Sequence, residues 1–386
     1  MSTKKLYVSL LACIIGSIGF ISLLFAFTHK ELERDMSFRR GFLYDTPKKT
    51  HELDLEYNGY YIAGAAKGQI YLGNTQSPLY LTVVDTALQN KQQIHFTIDR
   101  DSLPFRSPKV RVIPPHFFLM DGTVPYILRG CTNDWKAYSV MEDPPYFNSV
   151  QVMDSVTLAI RTVSNKTNEF ALGTVSIADS TKTTLSYELL QKQVDGIFDV
   201  DGTLQYNEQR KQLVYTYRYR NQYIVANDSL QLQLLGKTID TISQAQIKVG
   251  TIVSKKQKKM AAPALMVNRY CASSGNYLFV NSNLLGNKEP LVLWQKSAVI
   301  DVYDMVENRY EFSFYVEDIG KHKLKTFHVL HDTFIGLIGN HIVTYQLGDR
   351  FKKRQPLVMT AQNSNTKIQD KKLNSNIQKK QLLEYQ

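Results

Sequence analysis

The sequence predicts an all-β fold behind one N-terminal hydrophobic segment, and three observations lead to this prediction. Apolar stretches of about four to eight residues recur along the chain, separated by turn residues such as Gly, Asn and Asp. No window of about 15 residues shows the 3.6-residue apolar period that is typical of an amphipathic helix. The chain also contains 23 Tyr and 18 Phe, residue types that favour half-buried strands.

The hydrophobic segment Leu6–Phe27 is an uncharged run of 22 residues that follows Lys4 and Lys5. A run of roughly 18 or more such residues is long enough to cross a bilayer as a helix. Lysines in front of such a run favour a cytoplasmic N-terminus. We therefore expect an uncleaved signal anchor that holds the protein in the inner membrane, with the bulk of the chain in the periplasm.

Two other fates of this segment stay open. Leu10-Leu11-Ala12-Cys13 is similar to a lipobox, so lipidation of Cys13 is an alternative, although the apolar run continues well beyond it. Secretion after cleavage is the other, but the run is longer than the apolar part of a signal peptide and ends on bulky Phe25 and Phe27.

The strand pattern repeats at intervals of about 40–50 residues from roughly residue 52 to residue 348, the spacing of four-stranded propeller blades. We expect a β-propeller of six blades, with seven possible and a pair of β-sandwiches as the structural alternative. The predicted organisation is a signal anchor at 1–28, a linker at 29–49, the propeller at 50–348, and a basic, disordered tail at 349–386. The predicted strands, in chain order, are Tyr60–Ala63, Gln69–Leu72, Leu79–Val84, Gln93–Ile98, His116–Met120, Val124–Leu128, Val156–Thr162, Leu213–Tyr219, Gln222–Val225, Leu230–Leu235, Tyr277–Val280, Val299–Tyr303, Tyr310–Val316, Leu324–Leu330, Phe334–Ile338 and His341–Gln346.

The net charge of +11 comes in part from this tail and from a lysine cluster at 255–259. We interpret these charges as solvated, with contact to an anionic lipid or an acidic partner as the alternative. Nucleic acid is not expected as a partner behind a membrane.

A phosphatase-like motif occurs at Asp199-Val200-Asp201-Gly202-Thr203, which matches the DxDGT pattern of haloacid-dehalogenase-like phosphatases. That chemistry needs a parallel strand followed by helices, whereas here the motif precedes another strand-like stretch. Because Asp121-Gly122-Thr123 repeats part of the motif between two predicted strands, we interpret both as hairpin turns. No catalytic residue is predicted.

The stretch Tyr215–Asn221 is the most unusual surface in the sequence. As a strand it would place three tyrosines on one face, and Thr216, Arg218 and Arg220 on the other. Arg218, Arg220 and Asn221 are the predicted ligand-binding residues, because an arginine pair at a channel mouth can hold a carboxylate or a phosphate. The alternative is structural pairing of these arginines with carboxylates.

Cysteine and histidine offer little chemistry. Cys131 and Cys271 are the cysteines outside the hydrophobic segment, and whether they pair stays open. There is no CxxC motif, and the histidines are scattered, so neither a metal site nor a cofactor is predicted.

Four stretches carry a resemblance to a known group of proteins: Lys237–Thr241, Asn281–Gly286, Ile300–Tyr303 and Phe312–Tyr315. With them the chain resembles the uncharacterised, membrane-anchored six-bladed β-propeller proteins of the Bacteroidota. The resemblance implies a fold and a compartment, and it brings no established reaction.

Two classes of function follow. The first is a monomeric binding or scaffold module for a peptide, a glycan or a protein partner. The second is a periplasmic hydrolase or lyase with its site in the central channel, which would need Asp, Glu, Asn or His side chains from several blades around an axial metal. The sequence favours the binding module.

Overall fold

The computed structural model describes residues 3–32, 37–43, 47–100, 103–141, 143–178, 183–252, 257–348 and 351. The chain begins with helix α1 (Thr3–Leu32), followed by strand β1 (Lys48–Asp54). The strands after β1 form six antiparallel sheets that correspond to six propeller blades, and one separate two-stranded hairpin. The predicted all-β, six-bladed propeller is therefore confirmed, and the β-sandwich alternative is wrong.

The first three blades follow one another along the chain, each ordered from its inner to its outer edge. Blade 2 differs in that its innermost strand comes second in sequence, while a short strand, β6, pairs in parallel with its outer strand. Blade 1 consists of β2 (Tyr60–Ala66), β3 (Gln69–Asn74), β4 (Tyr80–Asp85) and β5 (Lys91–His95). Blade 2 consists of β6 (Thr97–Ile98), β7 (Lys109–Ile113), β8 (His116–Asp121), β9 (Tyr126–Cys131) and β10 (Lys136–Ser139). Blade 3 consists of β11 (Ser149–Val152), β12 (Thr157–Val163), β13 (Phe170–Ser176) and β14 (Thr183–Ser186).

Blades 4 and 5 repeat this order, with a hairpin between them and a short helix within blade 5. Blade 4 consists of β15 (Gly202–Asn207), β16 (Gln212–Tyr217), β17 (Gln222–Asn227) and β18 (Leu232–Lys237). The hairpin is β19 (Val249–Ile252) with β20 (Gln257–Met260). Blade 5 consists of β21 (Asn268–Ser274), β22 (Tyr277–Ser282), helix α2 (Leu291–Gln295), β23 (Ser297–Asp304) and β24 (Arg309–Glu317).

Blade 6 closes the ring by combining the two ends of the propeller chain. It consists of β25 (Leu324–Leu330), β26 (Thr333–Ile338) and β27 (His341–Gln346), and β1 supplies its outer strand. The β1–β27 pairing is antiparallel and runs from Lys48 opposite Gln346 to Asp54 opposite His341. This closure leaves no gap between the first and the last blade.

The six inner strands β2, β7, β11, β15, β21 and β25 each contact the next one around the ring, and so enclose a central channel. The hydrophobic core lies between the blades, where sheets pack face to face. The largest buried cluster joins blades 5 and 6 and includes Phe279, Phe314 and Phe334. The middle strands of a blade contribute to the core on both faces: in β8, Phe117 and Leu119 belong to one cluster, and Phe118 and Met120 to another. Only the inner strands turn alternate residues to the channel.

Each predicted strand overlaps a strand of the structure, but the prediction extended one strand beyond its C-terminal end. Leu213–Tyr219 is strand β16 only as far as Tyr217, and Arg218–Asn221 forms the bend before β17. Tyr215 and Tyr217 do share a buried face, whereas Tyr219 lies in the bend.

The expected equivalence of the two Asp-Gly-Thr sequences is also wrong. Asp121-Gly122-Thr123 lies at the β8–β9 hairpin, whereas Gly202 is the first residue of the inner strand β15. Gly202 does not adopt a positive φ. It is needed for a different reason: a Cβ atom there would lie 2.3 Å from the carbonyl oxygen of Thr216.

No helix among the described residues is long and apolar enough to cross a membrane. For α1 this statement covers residues 7 and 9–25, the part whose side chains the structure describes. The predicted basic tail lies outside the described residues apart from Phe351. This ring is buried and packs against the rings of Tyr277, Phe279 and Phe312, with centroids 5.0–5.7 Å away.

The segment Phe38–Leu43, between α1 and β1, lies against the outer edge of blade 5. Its backbone pairs with Ser313 of β24: the Leu43 N–H donates to the Ser313 carbonyl, and the Ser313 N–H donates to the Gly41 carbonyl. The ring of Phe42 stacks on Tyr315, with centroids 4.4 Å apart. We call residues 38–43 the edge segment.

Candidate functional site

A cavity of about 470 Å³ lies at the end of the channel where the inner strands begin. All six blades contribute to it, because its walls include residues from every inner strand and from the loops just before β7 and β11. Its lining comprises Tyr61, Ile62, Ser107, Lys109, Arg111, Met120, Gly122, Thr123, Phe147, Asn148, Ser149, Val150, Gln151, Arg161, Gly202, Thr203, Leu204, Gln205, Arg218, Tyr270 and Thr326. We call this space the channel cavity.

The charged side chains that line the channel cavity, as far as the structure describes them, are all cationic. Its described lining contains four cationic side chains, listed here with the elements that carry them: Lys109 and Arg111 of β7, Arg161 of β12, and Arg218 of the bend after β16. No Asp or Glu side chain is among the described residues of the lining. An anionic ligand is therefore the electrostatic complement of this cavity.

Strand β7 places two of these cations in the channel by simple alternation. Val110 and Val112 are buried between blades, so Lys109 and Arg111 point to the opposite side. No carboxylate among the described residues pairs with either side chain.

The ammonium group of Lys109 lies over the ring of Tyr61, 4.2 Å from its centroid. Its pKa is lowered by burial, and further by the neighbouring charges of Lys325 and Arg111. Lys325 is an exposed residue of β25 whose Nζ lies 3.4 Å from the carbonyl oxygen of Tyr60. This side of the cavity therefore gathers three cations that repel one another.

Arg111 makes one described hydrogen bond, from Nη1 to the carbonyl oxygen of Ile62 at 3.1 Å. The remaining N–H groups of its guanidinium are directed at no described acceptor. Its charge acts on His328 of β25, whose pKa is lowered to about 4 first by burial and then by Arg111. His328 is surrounded by protein but keeps some accessible surface, as expected for a ring that faces the interior of the channel.

On the opposite wall one carboxylate offsets part of the charge of two arginines. Arg161 Nη1 and Arg218 Nε donate to the two carboxylate oxygens of Asp201, at 2.8 and 2.7 Å. Arg161 also donates to Asn148, to the Gly202 carbonyl and to the hydroxyl of Tyr215, at 2.7–3.0 Å. Arg161 thus uses its hydrogen bonds on groups of the protein itself, and Arg218 does so in part.

Of the three predicted ligand-binding residues, only Arg218 lines the channel cavity. Arg220 is fully buried: its guanidinium stacks over Tyr217, 3.7 Å from the ring centroid, and donates from Nη2 to the Gln191 carbonyl. Asn221 donates to the Asp240 carbonyl at 2.6 Å. Both side chains support the bend after β16, and they do not reach the channel cavity.

The phosphatase-like aspartates have structural partners. Backbone N–H groups of residues 193–196 donate to the carboxylate of Asp199, with distances up to 3.2 Å. Although burial would raise the pKa of Asp199, these hydrogen bonds hold it below its ordinary value. Asp199 therefore fixes a loop, and Asp201 holds Arg161 and Arg218.

Other candidate chemistry lies away from the cavity. Asp304, Glu307 and Glu311 approach one another at the β23–β24 hairpin, where Arg309 pairs with the two glutamates. The described cysteines Cys13, Cys131 and Cys271 form no disulfide, and burial raises the pKa of Cys271 to about 12. The axial carboxylates that a hydrolase or lyase would use to hold a metal are not found in the described cavity lining.

No sequence pattern singled out Lys109, Arg111, Tyr270 or His328. The alternation Lys109-Val110-Arg111-Val112 is visible in the sequence, but Pro104, Pro108, Pro114 and Pro115 surround it and obscure the strand. Nothing in the sequence alone shows that these side chains converge, because they belong to three different blades.

Comparison with known proteins gives no matching family model and no matching curated protein. Solved structures with a similar arrangement include virginiamycin B lyase from Staphylococcus aureus with quinupristin, at 13% identity and a TM-score of 0.45, covering 77% of this chain and 99% of that one. A member of the DUF4221 family from Bacteroides vulgatus has 11% identity and a TM-score of 0.45, covering 80% and 95%. A structure of YCF48 bound to D1 peptide has 7% identity and a TM-score of 0.40, covering 82% and 97%. The six-bladed architecture of this chain stands on its own strand pairing.

Proposed function

We propose that this chain is a binding module whose propeller holds an anionic ligand in the channel cavity. The observation that carries the proposal is the pair Lys109 and Arg111, two partly buried cations without a carboxylate partner among the described residues.

The energetic argument concerns the free protein. Withdrawing a cation from water costs free energy unless a counter-charge replaces the lost hydration. Asp201 supplies such a counter-charge to Arg161 and Arg218, but no carboxylate of the described residues does so for Lys109 and Arg111. An anionic ligand would supply this counter-charge. Binding would therefore recover the free energy that the free protein loses by withdrawing these cations from water.

The proposal can be tested by titrating purified residues 37–386 with poly-L-glutamate in a calorimeter at low salt. The variant Lys109→Met/Arg111→Met should weaken binding by at least tenfold, about 1.4 kcal/mol. The control Lys237→Met/Arg309→Met removes the same charge from exposed positions outside the cavity and should bind like the wild type.

The same variants give a stability readout. Removing two cations that repel each other should leave the melting temperature of Lys109→Met/Arg111→Met unchanged or higher. Equal binding by the two double variants, or no binding by the wild type, would refute the proposal.

We also propose that the hydrophobic run Leu6–Phe27 attaches the propeller to the inner membrane, with the propeller in the periplasm. The uncharged run behind Lys4 and Lys5 supports this, as do the large apolar side chains that α1 exposes. Those with described positions include Leu10, Leu11, Ile14, Ile15, Ile18, Phe20, Ile21, Leu23, Leu24 and Phe25.

A reporter that is active only after export, fused after Gln386, tests the membrane attachment. We expect activity in cells and co-sedimentation of the fusion with membranes. Activity of a cytoplasm-dependent reporter at the same position, or a mature N-terminus near Thr28, would contradict it. Labelling of Cys13 by a lipid precursor would show that the protein is anchored as a lipoprotein and not by an uncleaved signal anchor.

A further inference from the structure

Five of the six inner strands place a polar side chain in the channel cavity at nearly the same position of the strand; the sixth, β2, has Ile62 there. Arg111, Gln151, Tyr270 and Thr326 are each the third residue of their inner strand, and Gln205 is the fourth. We call these five residues the polar ring. It carries one positive charge and four neutral hydrogen-bonding groups.

One part of the polar ring offers hydrogen-bond donors. The guanidinium of Arg111 has one described acceptor, the Ile62 carbonyl, and its planar fork suits a carboxylate. The hydroxyl oxygen of Tyr270 accepts a hydrogen bond from Gln205 Nε2 at 3.2 Å, so its own hydrogen is left for another acceptor. Burial raises the pKa of Tyr270, which keeps the phenol protonated as a donor at neutral pH.

The other part offers an acceptor. Gln151 Nε2 donates to the Leu204 carbonyl at 2.8 Å, which fixes the amide orientation and leaves Oε1 free to accept. β11 and β7 are neighbouring inner strands, so this oxygen lies on the strand next to Arg111. The same ring thus combines donors for an anion with an acceptor for an N–H group.

A peptide carboxyl terminus has this combination of groups: one carboxylate, and backbone N–H donors within a few ångströms of it. The dianion of a phosphate monoester, by contrast, has no N–H group to donate to Gln151 Oε1. Resting on the proposed function, we infer that the channel cavity takes the carboxyl terminus of a peptide, with the terminal carboxylate at Arg111 and Tyr270 and a backbone N–H at Gln151.

Three probes separate the parts of this inference in calorimetric titrations of residues 37–386. N-acetyl-tetraalanine carries the terminal carboxylate, its C-terminal amide lacks the charge, and hexanoate carries the charge without any amide. The wild type should bind the free acid at least tenfold more tightly than either of the other probes.

Two variants assign the contacts. Arg111→Met should abolish the preference for the free acid over its amide, while Gln151→Leu should reduce only the preference for the free acid over hexanoate. Gln92→Leu, an exposed position on β5, is the matched control and should behave like the wild type.

The outcomes distinguish this inference from the proposed function. If poly-L-glutamate binds but the free acid binds no better than the amide or hexanoate, the carboxyl-terminus inference is wrong and the anion-binding function stands. If poly-L-glutamate does not bind either, both are wrong.

Discussion

At the scale of single residues, His328 shows how the channel interior changes ordinary chemistry. A neutral imidazole is enforced there because protein surrounds the ring and the charge of Arg111 acts on it. The pKa of about 4 lies below the ordinary value of 6.5, so the unfolded chain takes up the proton before the folded chain does. Stability is therefore lost as pH falls from about 6.5 to about 4, and this group causes no further loss below that range.

We expect His328→Gln to lose less stability than the wild type between pH 7 and pH 4. The pKa difference corresponds to a loss on the order of 3 kcal/mol in the wild type that the variant avoids. Urea unfolding at a series of pH values measures it. His95→Gln, at an exposed position, is the control; parallel pH profiles for all three proteins would contradict the prediction.

At the scale of elements, the sequence predicts strands well where an apolar run is bounded by turn residues, and poorly where a strand is short, polar or flanked by prolines. The hairpins around β3, β16 and β26 were recognised because their strands are apolar and bounded by turns. β1 was missed since nearly all of it is exposed, and only its pairing with β27 makes it a strand. Strand β7 was missed although it alternates, because prolines surround it, and β11 was missed because it is only four residues long. Strands β15 and β21 were missed because polar residues interrupt their apolar positions.

The edge segment is a second element that no local pattern predicts. The side chain of Arg40 is fully buried, and its Nε and Nη2 donate to the two carboxylate oxygens of Asp301. Its Nη1 contacts Glu289 Oε1 at 2.5 Å. These partners lie more than 240 residues away in the chain, so only the folded blade brings them together.

We expect Arg40→Met to destabilise the propeller by about 3–5 kcal/mol, because two buried carboxylates lose their counter-charge. Burial already raises the pKa of Glu289, so the effect should shrink as pH is lowered and that carboxylate takes up a proton. Denaturant unfolding measures the loss, and Arg39→Met at the exposed neighbouring position is the matched control. Equal stability of the two variants would show that the ion pairs of Arg40 do not stabilise the propeller.

At the scale of the whole molecule, chain length and repeat spacing led to the prediction of six blades, with seven left possible. The first residues of successive inner strands lie between 40 and 66 residues apart, so the spacing alone does not fix the blade count. The site could not be predicted in this way. Arg218 was found from its unusual sequence neighbourhood, but Arg220 has the same neighbourhood and is buried against Tyr217. Which side chains reach the channel depends on where each inner strand begins, a property of the closed ring.

The C-terminal boundary of the propeller gives a prediction at this scale. A chain ending at Gln355 should melt within a degree or two of the full-length protein, because the sequence of the remaining tail is too poor in apolar residues to offset its ordering entropy. A chain ending at Gly348 loses Phe351, a buried ring whose removal costs about 3–5 kcal/mol.

For a domain of this size that cost corresponds to a melting temperature lower by roughly 5–10 °C. Calorimetric scans of the two truncated chains and of the full-length protein measure these melting temperatures. A drop of more than about 5 °C for the longer chain would mean that the tail beyond residue 355 packs on the propeller.

The position of the edge segment also has a mechanical consequence. Blade 6 is held together by backbone hydrogen bonds between β1 and β27, so a force that pulled directly on Lys48 would shear the seam that closes the ring. Chain order places the edge segment ahead of β1. Tension transmitted along the chain from its N-terminal side is therefore borne first by Arg40, Phe42 and the β24 edge of blade 5, and the seam of blade 6 stays unloaded while those contacts hold.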